Sequence, residues 1–351
     1  MSSLTRRRAA RPSARVVRAR PAIAALAVAV LVVLAVGRPA VLAAQNPDMA
    51  LTPAERDSAL AHYDQIFPFG GRQAVARGFD LPLPLGFNVG YFWMQQDLVI
   101  SNLGLGFNKE PEPVDFIEFE TASAKLSNLN ARIDLWLLPV LNLYVMGGYG
   151  FGETTVKLAK PIPFETTAEF TGGNVGIGAT GAFGFKRTFV VVDYNHQWAF
   201  SSLLEAPVPA DIFSARLGRS FRVGERSKGV RGTAWIGTML QSMKARTEGN
   251  INLADVADDG TAGRFADYEQ SAWYQALQPR QQAVVDDMVQ RLQGGLDTTT
   301  VSYRLDKKPA DPWNMLVGGT FDFGQHWGVR YEVGFIGRTS VMLMGNYRVR
   351  L

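Results

Sequence analysis

From Leu85 to Leu351 the chain alternates apolar and polar residues one by one, segment after segment. Phe87, Val89, Tyr91 and Trp93 alternate with Asn88, Gly90, Phe92 and Met94. Ala131, Ile133, Leu135 and Leu137 alternate with Asn130, Arg132, Asp134 and Trp136, and Leu141, Leu143, Val145, Gly147, Tyr149 and Phe151 follow directly. Val190, Val192, Tyr194 and Trp198 oppose Asp193, Asn195 and Gln197; Phe213, Ala215, Leu217 and Phe221 oppose Ser214, Arg216, Ser220 and Arg222. Trp235, Met239 and Met243 are set against Thr238, Ser242, Lys244 and Arg246. Trp313, Met315, Val317, Phe321 and Phe323 oppose Asn314, Thr320 and Asp322; Trp327, Val329, Tyr331, Val333 and Phe335 oppose Gly328, Arg330, Glu332 and Gly334. The last stretch, RTSVMLMGNYRVRL, puts Val341, Leu343, Gly345, Tyr347, Val349 and Leu351 on one face and Ser340, Met342, Met344, Asn346, Arg348 and Arg350 on the other. Side chains point to opposite faces along a strand, so each segment has a greasy face and a polar one. Phe164–Gly181 joins the set, with a bulge expected near Gly172-Gly173, where the apolar parity switches. Ten strands result. Arg219 falls on an apolar parity, which suits a strand end near headgroups.

The connections alternate in length. Leu138-Pro139-Val140, a turn near Gly184, Gly224–Gly229 and Gly324-Gln325-His326 are short. Asn108–Ala124, Lys157–Pro163, Ser201–Pro209 and above all Asn250–Pro312 are longer, and only the last hairpin, near Gly337, breaks the rule. Short turns at one end and long loops at the other are the habit of transmembrane barrels, with the long loops outside the cell. A soluble sandwich would alternate too. The loop asymmetry, the absence of cysteine and the outward aromatics favour an all-β, antiparallel up-and-down transmembrane barrel of about ten strands, with eight and twelve as the neighbouring even counts.

Two regions read as helical. Thr52-Pro53-Ala54-Glu55 has the form of a capping box with Pro at the first helical position, and predicts an amphipathic helix over Thr52–Ile66. Within Asn250–Pro312, Phe265–Leu277 and Pro279–Leu292 predict a helical hairpin, stopped by Gly294-Gly295. Self-packing over the barrel rim is the expected use of that hairpin.

Residues 1–21 hold seven arginines and no acid, and Ala22–Gly37 is an uncharged apolar run. With the small residues that follow, this is the form of a secretory signal peptide over residues 1–44, cut after Ala43 or Ala44. Residues 45–84 then form an N-terminal periplasmic segment, and 85–351 the barrel. The net charge of +4 includes eight arginines and no acid in residues 1–43, so the remainder carries −4. Basicity therefore belongs to export, and a nucleic-acid partner is not expected. An exported chain without cysteine has no disulfide framework.

On the polar parities lies a charge network: Arg132, Asp134, Asp193, Arg216, Arg222, Lys244, Arg246, Asp322, Arg330, Glu332, Arg348 and Arg350. Ten strands leave a lumen near the filled limit of eight, so these groups should pair with one another. On the apolar parities Tyr91, Trp93, Trp198, Trp235, Trp313, Trp327, Tyr331 and Tyr347 form two interfacial girdles. No catalytic, cofactor or metal set is expected. Asp255–Gly260 lacks a ligand at the third position of a calcium loop, where Ala257 stands. His196 and Asp193 sit three apart on one strand, hence on opposite faces. The glycine cluster of Gly147–Gly152 has no following helix to make a phosphate loop.

The end of the chain resembles the C-terminal assembly signal of bacterial outer-membrane β-barrel proteins: Tyr347, Val349 and Leu351 stand on one parity, with Leu where the family usually has Phe. The resemblance covers Leu85–Leu351 as architecture. It implies an outer-membrane address, export and barrel-assembly machinery as partners, and outer-membrane lipid and lipopolysaccharide as surroundings. The expected function is a narrow passive, porin-like channel for small solutes; the alternative is a non-conducting barrel presenting loops for adhesion or envelope integrity.

Overall fold

A computed structural model describes residues 51–351 apart from 108–110, 115–116, 161–163, 186, 205, 225–229, 244–245, 253–266 and 295–299. The expected signal peptide and Lys244 lie outside the described residues. Ten antiparallel strands close into a barrel: β1 (Leu85–Phe107), β3 (Glu118–Leu138), β4 (Leu141–Lys160), β5 (Phe164–Phe185), β6 (Thr188–Ser201), β7 (Val208–Val223), β8 (Val230–Met243), β11 (Trp313–Phe323), β12 (Trp327–Phe335) and β13 (Arg338–Val349). Each pairs with its neighbour in sequence order, and β1 pairs with β13 from Leu85↔Val349 to Gln96↔Arg338, which leaves no free barrel edge.

The alternation decides which side faces out. Val89, Ile133, Val175, Leu217 and Leu343 are exposed on the outer wall, while Asp134, Ser214, Leu316 and Glu332 are buried inside. On most strands the more polar parity thus faces the lumen and the apolar parity covers the outside. The short turns use the residues their geometry demands. At the β12–β13 hairpin Gly337 has φ +74, and a Cβ there would lie 2.2 Å from the Trp313 carbonyl oxygen.

Several expectations need correction. β5 pairs β4 without a register shift from Leu141↔Gly181 to Leu158↔Phe164, so there is no bulge at Gly172-Gly173. The parity never switches; Phe170 simply points into the lumen, where an apolar cavity accepts it. The N-terminal helix, α1, runs only Pro53–Ala61, with its capping box intact, and a second short helix, α2, covers Gly71–Ala76. The long loop is partly strand. β9 (Arg246–Asn252) and β10 (Thr300–Pro309) form a pair, and β10 takes over as partner of β1 from Leu98 to Phe107, above the point where β13 ends. A two-residue strand, β2 (Glu112–Pro113), joins the other side of β1. Between β9 and β10 the expected first helix shrinks to a 3-10 turn at Tyr268–Gln270 and α3 (Ala272–Gln275); α4 (Pro279–Gly294) matches the second. Val285 and Val289 are its buried stripe, and Tyr268 and Tyr274 both donate to Asp286 Oδ1, at 2.9 and 2.7 Å.

Candidate functional site

The lumen is built in two parts. The end that carries the short turns is filled with charge. Asp134 accepts from Arg348 Nη2 at 2.8 Å, from Asn142 Nδ2 at 2.6 Å and from Asn88 Nδ2 at 2.8 Å. Arg132 donates to Asn142 Oδ1 at 2.9 Å, and its guanidinium stacks 3.6 Å from the centroid of Tyr144. Tyr144 and Thr180 in turn donate to Asp193, at 3.0 and 2.6 Å. The room for the Tyr144 ring comes from Gly178, where a Cβ would sit 2.3 Å from Cζ.

One step further along, Glu332 is the hub. Arg216 donates to it twice, Nε to Oε2 at 2.6 Å and Nη2 to Oε1 at 2.9 Å. Trp235 Nε1 donates to Oε2 at 3.0 Å, and Arg330 Nη2 at 3.2 Å. A bidentate guanidinium on a buried carboxylate is the strongest geometry available to an ion pair. Arg216 and Glu332 are 7% and 6% exposed and the neighbouring Leu316 is 1%, so the layer is closely packed.

The N-terminal segment closes this end from below. Phe69 N–H donates to the Leu137 carbonyl at 2.9 Å, Ile66 N–H to the Leu351 carbonyl at 3.3 Å, and Arg348 Nε to the Leu83 carbonyl at 2.7 Å. Arg231 Nη1 meets Asp80 Oδ2 at 2.5 Å. Burial pushes the Asp80 carboxyl above its ordinary range, while Arg231 and Arg222 pull it down.

The other half of the lumen is an apolar cavity of about 420 Å³. Six of the chain's ten methionines line it: Met94, Met146, Met239, Met243, Met342 and Met344. Phe92, Leu126 and Leu316 complete the greasy wall, Arg330 and Glu332 form part of the floor, and Leu203, Leu204, Tyr303 and Lys307 stand at the rim. Arg338 also lines it, at the start of β13. Burial lowers the Lys307 ammonium from its usual range.

Of the expected charge network, Arg132, Asp134, Asp193, Arg216, Arg330, Glu332 and Arg348 are brought together. Arg222 and Asp322 lie near Asp80 and Arg231 at the lower end. Arg350 is a correction: it stands past the end of β13 and is exposed. Arg246 begins β9, outside the barrel wall. Among the aromatics, Tyr91, Trp313, Trp327, Tyr331 and Tyr347 are exposed on the outer wall, and Trp93 and Trp198 stand half-buried there. Trp235 is the second correction. Its indole is inside and 7% exposed, while Ile236 faces out at 52%. Strand β8 carries apolar residues on both parities, so alternation could not decide. Gly318 on β11 makes the space, since a Cβ there would come within 3.0 Å of the indole. The sequence reading missed Asp80, Arg231, Tyr144 and Arg338. Arg338 was the accessible one, because it continues the inward parity of Ser340 and Met342 by one step.

His196 pairs with Asp211, not Asp193. Its Nδ1 is 2.7 Å from Asp211 Oδ1, which also accepts from Tyr194 at 2.8 Å, all on the outward parity. Among the described residues no cluster of three His, Asp or Glu side chains could hold a metal ion.

A closed barrel with a greasy outside and a charged inside is a transmembrane protein. The fold is that of a ten-stranded transmembrane β-barrel. No protein-family model matches it, and neither does any curated protein. Among solved structures it is similar to the beta domain of the Bordetella autotransporter Brka, at 10% identity and TM-score 0.36, covering 76% of this chain and 100% of that one. It is also similar to the outer membrane protein OprG from Pseudomonas aeruginosa, at 7% identity and TM-score 0.32, covering 77% and 98%. The Pseudomonas putida toluene transporter TodX follows at 10% identity and TM-score 0.25, covering 88% and 96%. Likeness at this level carries nothing about solute or role.

Proposed function

We propose that this protein is a narrow outer-membrane channel for small solutes, closed at rest and selective, not an open porin and not an enzyme. The observation that carries this is the cavity of about 420 Å³ within the barrel. It falls in the range of roughly 300–1,000 Å³ typical of small-molecule sites. The buried layer of Arg216, Glu332 and Leu316 at its base supports the closed state. In this reading residues 1–44 direct export and are removed, and the assembly machinery reads Tyr347, Val349 and Leu351. The N-terminal segment sits in the periplasm, residues 250–312 lie outside the cell, and the aromatic rings sit at the headgroups. Passage requires the Glu332 hub and the N-terminal segment to yield.

The bonds from residues 66–84 to the barrel rim favour a second reading, a barrel that never conducts and only presents its loops. Planar-bilayer recordings with liposome solute uptake separate the two. The channel reading expects long closed intervals, brief openings and measurable uptake. Steady, porin-sized conductance would contradict closure. No openings and no uptake would leave the second reading standing.

A further inference from the structure

The cavity carries a contradiction that a purely apolar solute would not resolve. Arg338 is 7% exposed, yet among the described residues no carboxylate is within ion-pair reach of it. Its guanidinium donates to Gln241 Oε1 and touches the sulfurs of Met239 and Met94. Its Nε has no hydrogen-bond partner. Lys307, at the rim, likewise has no anionic partner among the described residues. At the floor, Nε of Arg330 and of Arg132 is likewise without a hydrogen-bond partner, but the charge there is balanced by a carboxylate: Glu332 is shared by Arg216, Arg330 and Trp235. A buried guanidinium held by thioethers is poorly compensated, because a thioether is a weak acceptor.

We propose that the cavity binds a small amphipathic carboxylate, its head on the Nε–Nη2 edge of Arg338 and its apolar body among the methionines. This rests on the channel reading above and names its solute class. The planar edge of a guanidinium matches the two oxygens of a carboxylate, and the head would replace the soft sulfur contact on Nη2. Methionine suits the body, since its unbranched, polarizable chain refits to ligands of different shape. Lys307 lies on the path in. It pairs with Ile100 and Arg338 with Gln96, four residues apart on β1, so the two cations are spaced by about 13 Å along the strand. A neutral apolar molecule would fill the same volume but leave Arg338 uncompensated.

The test uses the full-length protein in phosphatidylcholine nanodiscs, titrated calorimetrically with octanoate and with octanol against empty discs. Octanoate should bind at least about tenfold more tightly than octanol. Arg338→Gln should erase that preference, and Arg338→Lys should restore part of it. The wild-type comparison stands even if neither variant folds. Equal binding of the two probes, binding of neither, or a preference that survives Arg338→Gln would overturn the proposal. Octanoate binding without release into liposomes would instead sink the channel reading alone. Uptake of neutral solutes without any octanoate preference would sink the site alone.

Discussion

The two halves of the lumen use the same residue types to opposite ends. In the lower half Arg216 faces Glu332 and Arg348 faces Asp134, each at hydrogen-bond distance. In the upper half Arg338 faces methionine and glutamine. The lower arginines complete a packed interior that could not otherwise hold a carboxylate. The upper one keeps a charge in a space that it does not fill. A paired interior charge holds structure together, whereas an unpaired one beside a cavity points to something still to be bound.

The largest effect should come from the hub. Glu332→Gln removes the charge that Arg216 and Arg330 share, and breaking a buried pair costs on the order of 3–5 kcal/mol. Urea unfolding in micelles would measure it, and a loss below about 1 kcal/mol would mean that the floor is not a network. Next comes the wall. Ile236→Arg puts a charge on the outward face and should cost about 2–4 kcal/mol if it lies near the bilayer midplane. Its effect on folding yield into lipid vesicles should exceed that of Ile236→Leu. A smaller contrast sets the halves side by side. Asn142→Leu strips Asp134 and Arg132 of a buried partner and should cost about 1–3 kcal/mol. Met342→Leu, in the cavity, should cost less than about 1.5 kcal/mol. Similar thermal shifts for both would erase the distinction between floor and cavity.

The wall was legible in the sequence because one face of every strand must meet lipid, and period-two alternation reports that directly. It failed where both parities were apolar. On β8 Trp235 and Ile236 compete for the outside, and the decision rests with Gly318, on another strand. The floor was legible as a set of charges but not as pairs. Arg216 and Glu332 are 116 residues apart, and Asp80 and Arg231 are 151, so barrel closure decides who meets whom. The cavity was not legible at all. Met239 and Met243 share the parity of Trp235 and read as outward, the other cavity methionines look like filler until the opposite wall is known, and an unpaired arginine has the same letter as a paired one.

The division of the lumen is tested most directly by comparing Arg216→Met with Arg338→Met, each unfolded by urea in the same micelles without added ligand. Arg216→Met strands Glu332 in the interior and should lose about 3 kcal/mol or more. Arg338→Met removes a poorly compensated charge and replaces it with a side chain like its neighbours, so it should lose nothing measurable and could gain stability. Equal losses in the two variants would mean that Arg338 is a structural residue like Arg216, and that the upper cavity is not held open for an anion.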